Sequence, residues 1–142
     1  MTDKIKTPGC LQELTVTTRS RSQMVDITAQ VQRLVDESGI QEGLCMVFVP
    51  HTTAAVTINE NADPDVQRDM MSELDKIVPW ESNYYHVEGN SAAHLKATLT
   101  GFSEQLIIHS GRLLLGTWQG LYFMEYDGGR TRREARGMLR RQ

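Results

Sequence analysis

The stretch from Glu104 to Asp127 constrains the fold most. Three runs with strand character, Gln105 to His109, Arg112 to Trp118 and Leu121 to Asp127, follow one another closely and are punctuated by Gly111, Gly120 and the Gly128-Gly129 pair. Glycines so placed mark turns, and the pattern predicts a β meander. The chain before it mixes periods. Leu11 to Thr18 alternates as a strand does, and Met24 to Ile27 reads as a short second one. Thr28 is placed to cap a helix running to Ser38, with Val31, Leu34 and Val35 on one face and Gly39 as the stop. Gly43 to Val49 is a short apolar strand, and Ala54 to Asn59 is another, rich in β-branched residues. Asp63-Pro64 opens a second helix, because Asp caps and Pro fits the first turn. Its apolar face carries Val66, Met70, Met71, Leu74 and Ile77, and Pro79 ends it. Trp80 to Asn90 is a polar loop with aromatics, and Ser91 to Leu99 suits a short helix ending at Gly101. Helices among strands followed by a run of strands predict α+β, not a regular βαβ repeat.

The 142 residues fit one domain, and no repeat or long linker divides them. We divide the chain into a tail (1–10), a domain (11–132) and an Arg-rich end (133–142). No window approaches the roughly 18 apolar residues of a membrane span. Met1 to Pro8 lacks the apolar core of a secretory signal. Cys10 and Cys45 show no CxxC spacing and cannot build a disulfide framework, so a reducing cytoplasm is expected. Cys45, within an apolar run, is expected to be a buried core thiol. The net charge of −3 is unevenly placed. Residues 130–142 hold six of the 15 basic residues and one of the 18 acidic ones, which leaves a body of net −8. That body argues against nucleic acid as a partner.

Three histidines draw the chemistry together. His51 stands where an apolar strand ends and a Thr-Thr turn begins, a rigid place to hold a ligand. His86 lies in the polar loop, and His94 in the helix that follows. Three neutral imidazoles suit Zn²⁺ or a related ion and leave a position open for water or substrate. His109, on an apolar strand, is left aside as a solvent-facing or locally hydrogen-bonded side chain. Carboxylates and amides cluster from Asn59 to Asp65, with Asp69 beyond; oxygen ligands of this kind bind Mg²⁺ or move protons. Asp63 already has a structural role as a cap, whereas Glu60 and Asn61 have less structural excuse. In His86-Val87-Glu88-Gly89-Asn90, Gly89 allows a tight backbone and Glu88 suits a histidine partner or a general base. Thr117, Gln119, Glu125 and Asp127 share strand parity with Leu113, Leu115, Leu121 and Phe123, provided the register holds through Gly120. Ser103 and Arg130 are candidate anion donors. No Walker loop, GxGxxG fingerprint or GxSxG elbow is present, which excludes the commonest nucleotide and serine-hydrolase sites.

Several of these motifs together resemble the YjbQ-like family. They are Val49-Pro50-His51-Thr52-Thr53-Ala54-Ala55, Asn59-Glu60-Asn61-Ala62-Asp63-Pro64-Asp65-Val66, the stretch from His86 to Asn90, and Ala93-His94-Leu95-Lys96-Ala97. The late strands add Ser103, Leu106, Ile108, Gly111, Gly116-Thr117-Trp118-Gln119 and Leu121. The resemblance covers residues 11–132. It implies a barrel-like bifurcated mixed β-sheet with flanking helices, assembled as a homotrimer. It also implies a secondary thiamine-phosphate synthase, a transferase that joins hydroxymethylpyrimidine diphosphate to thiazole phosphate. Residue by residue it falls on His51, Glu60, Asp63, His86, Glu88, His94, Gln119 and Glu125. The family pattern ends in a β-branched strand. Here the end, Arg133-Glu134-Ala135-Arg136-Gly137-Met138-Leu139-Arg140-Arg141, has weak strand propensity and is expected to be irregular, shortened or helical.

The leading expectation is a metal-dependent enzyme acting on a small phosphorylated metabolite. His51, His86 and His94 hold a divalent ion, Zn or Mg; Glu60, Asp63, Glu88 and Glu125 supply catalytic carboxylates; Ser103, Gln119 and Arg130 bind an anionic substrate. Two other readings stand beside it: a non-catalytic trimeric protein that binds a metal or metabolite, and a metal-dependent phosphatase or other hydrolase.

Overall fold

The computed structural model describes residues 11–129 and the backbone of 133–140. The tail 1–10 and Arg130 lie outside the described residues. The chain runs β1 (Leu11–Val16), β2 (Gln23–Asp26), α1 (Thr28–Ser38), β3 (Glu42–Phe48), β4 (Ala54–Glu60), α2 (Pro64–Ile77), α3 (Ser91–Thr100), β5 (Ser103–His109), β6 (Arg112–Leu113), β7 (Gln119–Glu125) and β8 (Arg133–Arg140). The α+β expectation holds. The strands form two sheets, a five-stranded one in the order β1-β8-β3-β5-β6 and a three-stranded one in the order β2-β7-β4. Among the described residues every pairing in both sheets is antiparallel, so neither sheet is mixed, and neither closes into a barrel.

The two sheets face each other across the main core. Cys45 and Val47 of β3 and Leu106 and Ile108 of β5 meet Val56 of β4 and Leu121 and Phe123 of β7, with Val31 and Val35 of α1 completing the cluster. Side chains alternate across a strand, so β7 sends Tyr122 and Met124 the other way. With Tyr126 just beyond β7, they pack against Ala55, Ala93 and Ala97 in a second cluster beneath α3. The small residues on α3 let the helix lie close to the three-stranded sheet. β7 is thus apolar on both faces, which explains its near-continuous apolar run.

The helix signals are partly as expected. Asp63 caps α2, its Oδ1 accepting from the Asp65 N–H at 2.9 Å, with Pro64 in the first turn. Gly39 ends α1 in the left-handed conformation at φ +70°. Thr28 is not the cap: it is the first helical residue. Its N–H (2.9 Å) and hydroxyl (2.6 Å) both donate to Asp26 Oδ1, and the same hydroxyl accepts from Leu121 N–H at 2.8 Å. Thr28 therefore ties α1 to β7.

Two strand expectations change. The run Arg112 to Trp118 pairs only over Arg112–Leu113, after which a turn carries Gln119 Oε1 back to accept from Gly116 N–H at 2.8 Å. The parity assigned to Thr117 is lost before Gly120. The C-terminal run, expected to be irregular or helical, forms β8 between β1 and β3, with Gly137 opposite both Gln12 and Val47. Two flanking strands with unmet N–H and C=O groups outweigh weak propensity.

Candidate active site

The register between β4 and β7 decides which polar residues meet. Ala54 faces Glu125 at one end of the pair, and Glu60 faces Gln119 at the other. A seven-residue strand spans about 20 Å, so these are two separate places. His51 belongs to the Ala54 end. It follows β3, whose exit is held by Val49 N–H donating to Phe102 O at 2.8 Å. The Thr52-Thr53 turn then feeds β4, and Thr53 O accepts from Tyr126 N–H at 3.2 Å. That bond brings the residue after Tyr126, Asp127, alongside.

The loop after α2 supplies the rest. His86 opens a turn in which its carbonyl accepts from Gly89 N–H at 3.1 Å, with Gly89 at φ +75°. Glycine is needed for that φ. Asn90 begins α3, its carbonyl accepting from Ala93 and His94 N–H. This sets His94 in the first turn, on a helix anchored by buried Ala92, Ala93 and Ala97. The Asn90 side chain does not cap its own helix. It reaches across, and Nδ2 donates to Asp127 Oδ2 at 3.0 Å.

One cavity of about 350 Å³ results, lined by His51, Thr52, Thr53, His86, Glu88, Asn90, His94 and Asp127. His86 and His94 stand edge to face, with ring centroids 5.4 Å apart. Two imidazoles bound to one ion at about 2.1 Å would place their centroids roughly 5 Å apart. The spacing of this pair therefore suits a shared ion. Asn90 is 6% exposed, and its Oδ1 is buried with no hydrogen-bond partner. A buried acceptor left open beside two imidazoles suits a cation, or a donor held on one. The donor set of ring nitrogens and carboxylate oxygens fits a first-row divalent ion or zinc. Among the described residues no three His, Cys, Asp or Glu side chains yet stand close enough to grip one ion, so a shared site requires His51 or a carboxylate to swing inward.

The structure thus brings His51, His86, His94 and Glu88 together, and leaves other expected residues elsewhere. Glu60 and Gln119 sit at the far end of the three-stranded sheet. Asp63 is occupied as the α2 cap. Ser103 starts β5 in the other sheet, opposite Phe48, and is exposed. Glu125 is fully buried; Oε1 accepts from the Thr18 hydroxyl at 2.8 Å, and Oε2 accepts from the N–H groups of Tyr126 and Asp127. Its carboxylate clamps the chain that carries Asp127 and does not line the cavity. The residues added by the structure are Thr52, Thr53 and Asn90, and of the group Thr117, Gln119, Glu125 and Asp127 only Asp127 lines the cavity. Asn90 was visible as the end of the His86 motif, whereas nothing in the sequence singles out Asp127 from Glu125.

The model of the family described as UPF0047 protein YjbQ-like matches residues 12–139. The UPF0047 protein YugU of Bacillus subtilis is 50% identical over 123 residues, covering 86% of this chain and 93% of its own. A UPF0047 protein of Methanocaldococcus jannaschii is 47% identical over 117 residues, covering 82% of this chain and 85% of its own. A crystal structure of a YjbQ/UPF0047 family protein from Clostridium acetobutylicum superposes with a TM-score of 0.87 at 53% identity, over 90% of this chain and 99% of that one. A second structure, from Sulfolobus solfataricus, gives 0.88 at 32% identity, over 92% and 95%. Motif, fold and similarity agree, and the chain belongs to the YjbQ-like (UPF0047) family.

Proposed function

We propose that the histidine cavity is a divalent-metal-dependent catalytic site acting on a small phosphorylated metabolite. The observation that carries this reading is the meeting of His51, His86, His94, Glu88 and Asp127 in one cavity, from four separate stretches of chain. The histidines would hold the ion. When bound, it would supply positive charge to phosphate oxygens and to a departing diphosphate. Asn90 keeps Asp127 in place through its Nδ2 bond, leaving its own Oδ1 to accept from the ligand.

The reaction implied by the resemblance is thiamine-phosphate synthesis. The thiazole ring nitrogen forms a C–N bond to the pyrimidine methylene carbon. The C–O bond to diphosphate breaks, and the diphosphate leaves with the electron pair. No proton is transferred, so Glu88 would act by charge, beside a centre that becomes cationic. A metal-dependent hydrolase is the second reading, and the cavity size favours it: about 350 Å³ lies near the low end of ligand sites and takes one small substrate readily. There Glu88 would take the proton from the attacking water. Homotrimeric assembly belongs to the proposal as well. It is supported by α2, an amphipathic helix with no buried residue, and by exposed Ile77 and Leu99 nearby.

The test combines elemental analysis of the pure protein with His94→Ala and Glu88→Gln. The reading expects stoichiometric metal that His94→Ala removes. It expects thiamine phosphate from the two phosphorylated precursors, or orthophosphate from a single ester, and loss of turnover in Glu88→Gln. Protein that holds no ion after incubation with Zn, Mn, Fe and Mg, and turns over neither substrate class, ends this reading. Metal bound without turnover, unaltered by Glu88→Gln, would leave the non-catalytic binder.

A further inference from the structure

A second groove, of about 530 Å³, lies between the turn after β1 and the end of α2, lined by Ser20, Arg21, Ser22, Asp75, Pro79 and Trp80. Gln23 shapes that turn: its Oε1 accepts from Arg19 N–H at 2.9 Å and from Ser20 N–H at 3.4 Å. The turn presents Arg21, whose guanidinium carbon stands 4.1 Å from the centroid of the Trp80 ring. That is cation–π range. An arginine stacked in this way is held by its face, and the N–H donors at its edge stay available. No carboxylate among the described residues pairs with it; the groove's own acid, Asp75, is engaged by buried Lys96. The Ser20 and Ser22 hydroxyls add neutral donors.

This groove adjoins the histidine cavity along two stretches of chain. Gly128 follows the cavity residue Asp127. Its N–H donates to Arg21 O at 2.8 Å, and a Cβ on it would lie 2.0 Å from Ser20 O. The turn and the cavity wall therefore touch through backbone. On the other side, Trp80 begins the loop that carries His86 and Glu88, and Tyr84 folds that loop back by donating to Pro79 O at 2.6 Å.

We propose that Arg21, stacked on Trp80, is the centre of an anion subsite for a phosphate monoester, placed beside the histidine cavity. A planar guanidinium with free edge donors and flanking hydroxyls matches the oxygens of a phosphate group. The use of this subsite by a second substrate rests on the catalytic reading above; the binding of phosphate does not. A small cavity and an adjoining phosphate seat together give room for two phosphorylated partners, where the cavity alone holds one.

Trp118 is exposed and lies at the far end of β7, so Trp118→Phe leaves Trp80 as the single tryptophan of the chain without touching either site. Metal-stripped protein on this background is titrated with inorganic phosphate and with phenyl phosphate at constant ionic strength, following Trp80 emission. Saturable binding is expected. Arg21→Gln should weaken it about tenfold or more, the loss of one charge-assisted contact, and Arg21→Lys should retain part of it. Both variants should melt as the parent does. His94→Ala should leave phosphate affinity unchanged whether or not the histidines bind metal. Phenyl phosphate binding more tightly supports the assignment to a monoester, and inorganic phosphate binding more tightly overturns it. Absence of saturation, equal affinity in Arg21→Gln, or loss of phosphate binding in His94→Ala overturns the proposal.

Discussion

Lys96 offers a quantitative test of how α2 and α3 are joined. Its side chain, on α3, is 2% exposed and its ammonium pairs with Asp75 on α2, whose side chain is 61% exposed. Breaking a fully buried ion pair by removing one partner costs about 3–5 kcal/mol, because a charge is stranded out of water. Here one partner faces solvent, so water can reach the stranded ammonium from that side, and we set the cost of Asp75→Asn at about 2 kcal/mol. Lys96→Met keeps the unbranched stem that packs near Tyr126 and removes the charge, so it should fall within about 1 kcal/mol of the parent. Once the charge is gone Asp75 has nothing to neutralise, and the double variant should match Lys96→Met. The expected coupling is therefore about 2 kcal/mol, which with a neutral Lys96→Met is a Tm gap of roughly 4–8 °C between Asp75→Asn and the double variant. Urea denaturation of the four proteins at pH 7, followed by circular dichroism, measures it. Asp75→Asn indistinguishable from the parent, or Lys96→Met worse than Asp75→Asn, would refute the view that the aspartate exists to neutralise a buried lysine.

Glu125→Ala removes the acceptor for Thr18, Tyr126 and Asp127, and equilibrium unfolding should show a loss of about 3 kcal/mol. Gly128→Ala drives a methyl group into Ser20 O; the turn must move, with a cost of about 1–3 kcal/mol and a change in Trp80 emission as Arg21 shifts. Burial pushes the Cys45 thiol up to about 12, so iodoacetamide at pH 8 should leave its peptide unmodified in the native protein and label it in urea. The hydrogen bond from His109, and then that from Ser110 N–H, hold Glu42 below its ordinary 4.5. A depressed carboxylate stabilises the fold above its unfolded value, and that contribution is lost as pH falls through the lowered one. Carboxyl NMR titration should show Glu42 returning toward 4.5 in His109→Ala.

Local rules and long-range register contributed differently to what could be read from the chain. Asp63-Pro64 and Gly39 were legible because a cap and a left-handed stop depend on their own neighbours. Thr28 was misplaced by one role: a hydroxyl suited to capping had a better offer from Asp26 and from β7, and only tertiary contact decides between them. β8 was illegible from propensity, since its stability comes from the edges of β1 and β3 on either side. The same distinction governs the site. Glu60 was assigned to the same site as His51 by residue type and resemblance, which carry no distance. An extended strand instead puts them at opposite ends of the sheet. Asp127 is far along the chain from His51 and Asn90, and the register of β7 against β4 brings it beside both.

The three imidazoles are not equally held, and this bears on how the cavity would work. His94 rides on a helix whose alanines are packed against the sheet, and His51 follows a strand exit locked to Phe102. His86 sits in a loop whose neighbours Tyr85 and Val87 are almost wholly exposed. Few apolar contacts anchor that segment, so its opening costs little compared with unfolding the sheet. His94 is thus held on a packed helix, whereas His86 in its loop and His51 in the turn between β3 and β4 can adjust, so those two would set the geometry around a shared ion. A bound cation would draw on the freedom of the loop, and of His51 at its turn, without straining α3 or the core beneath it.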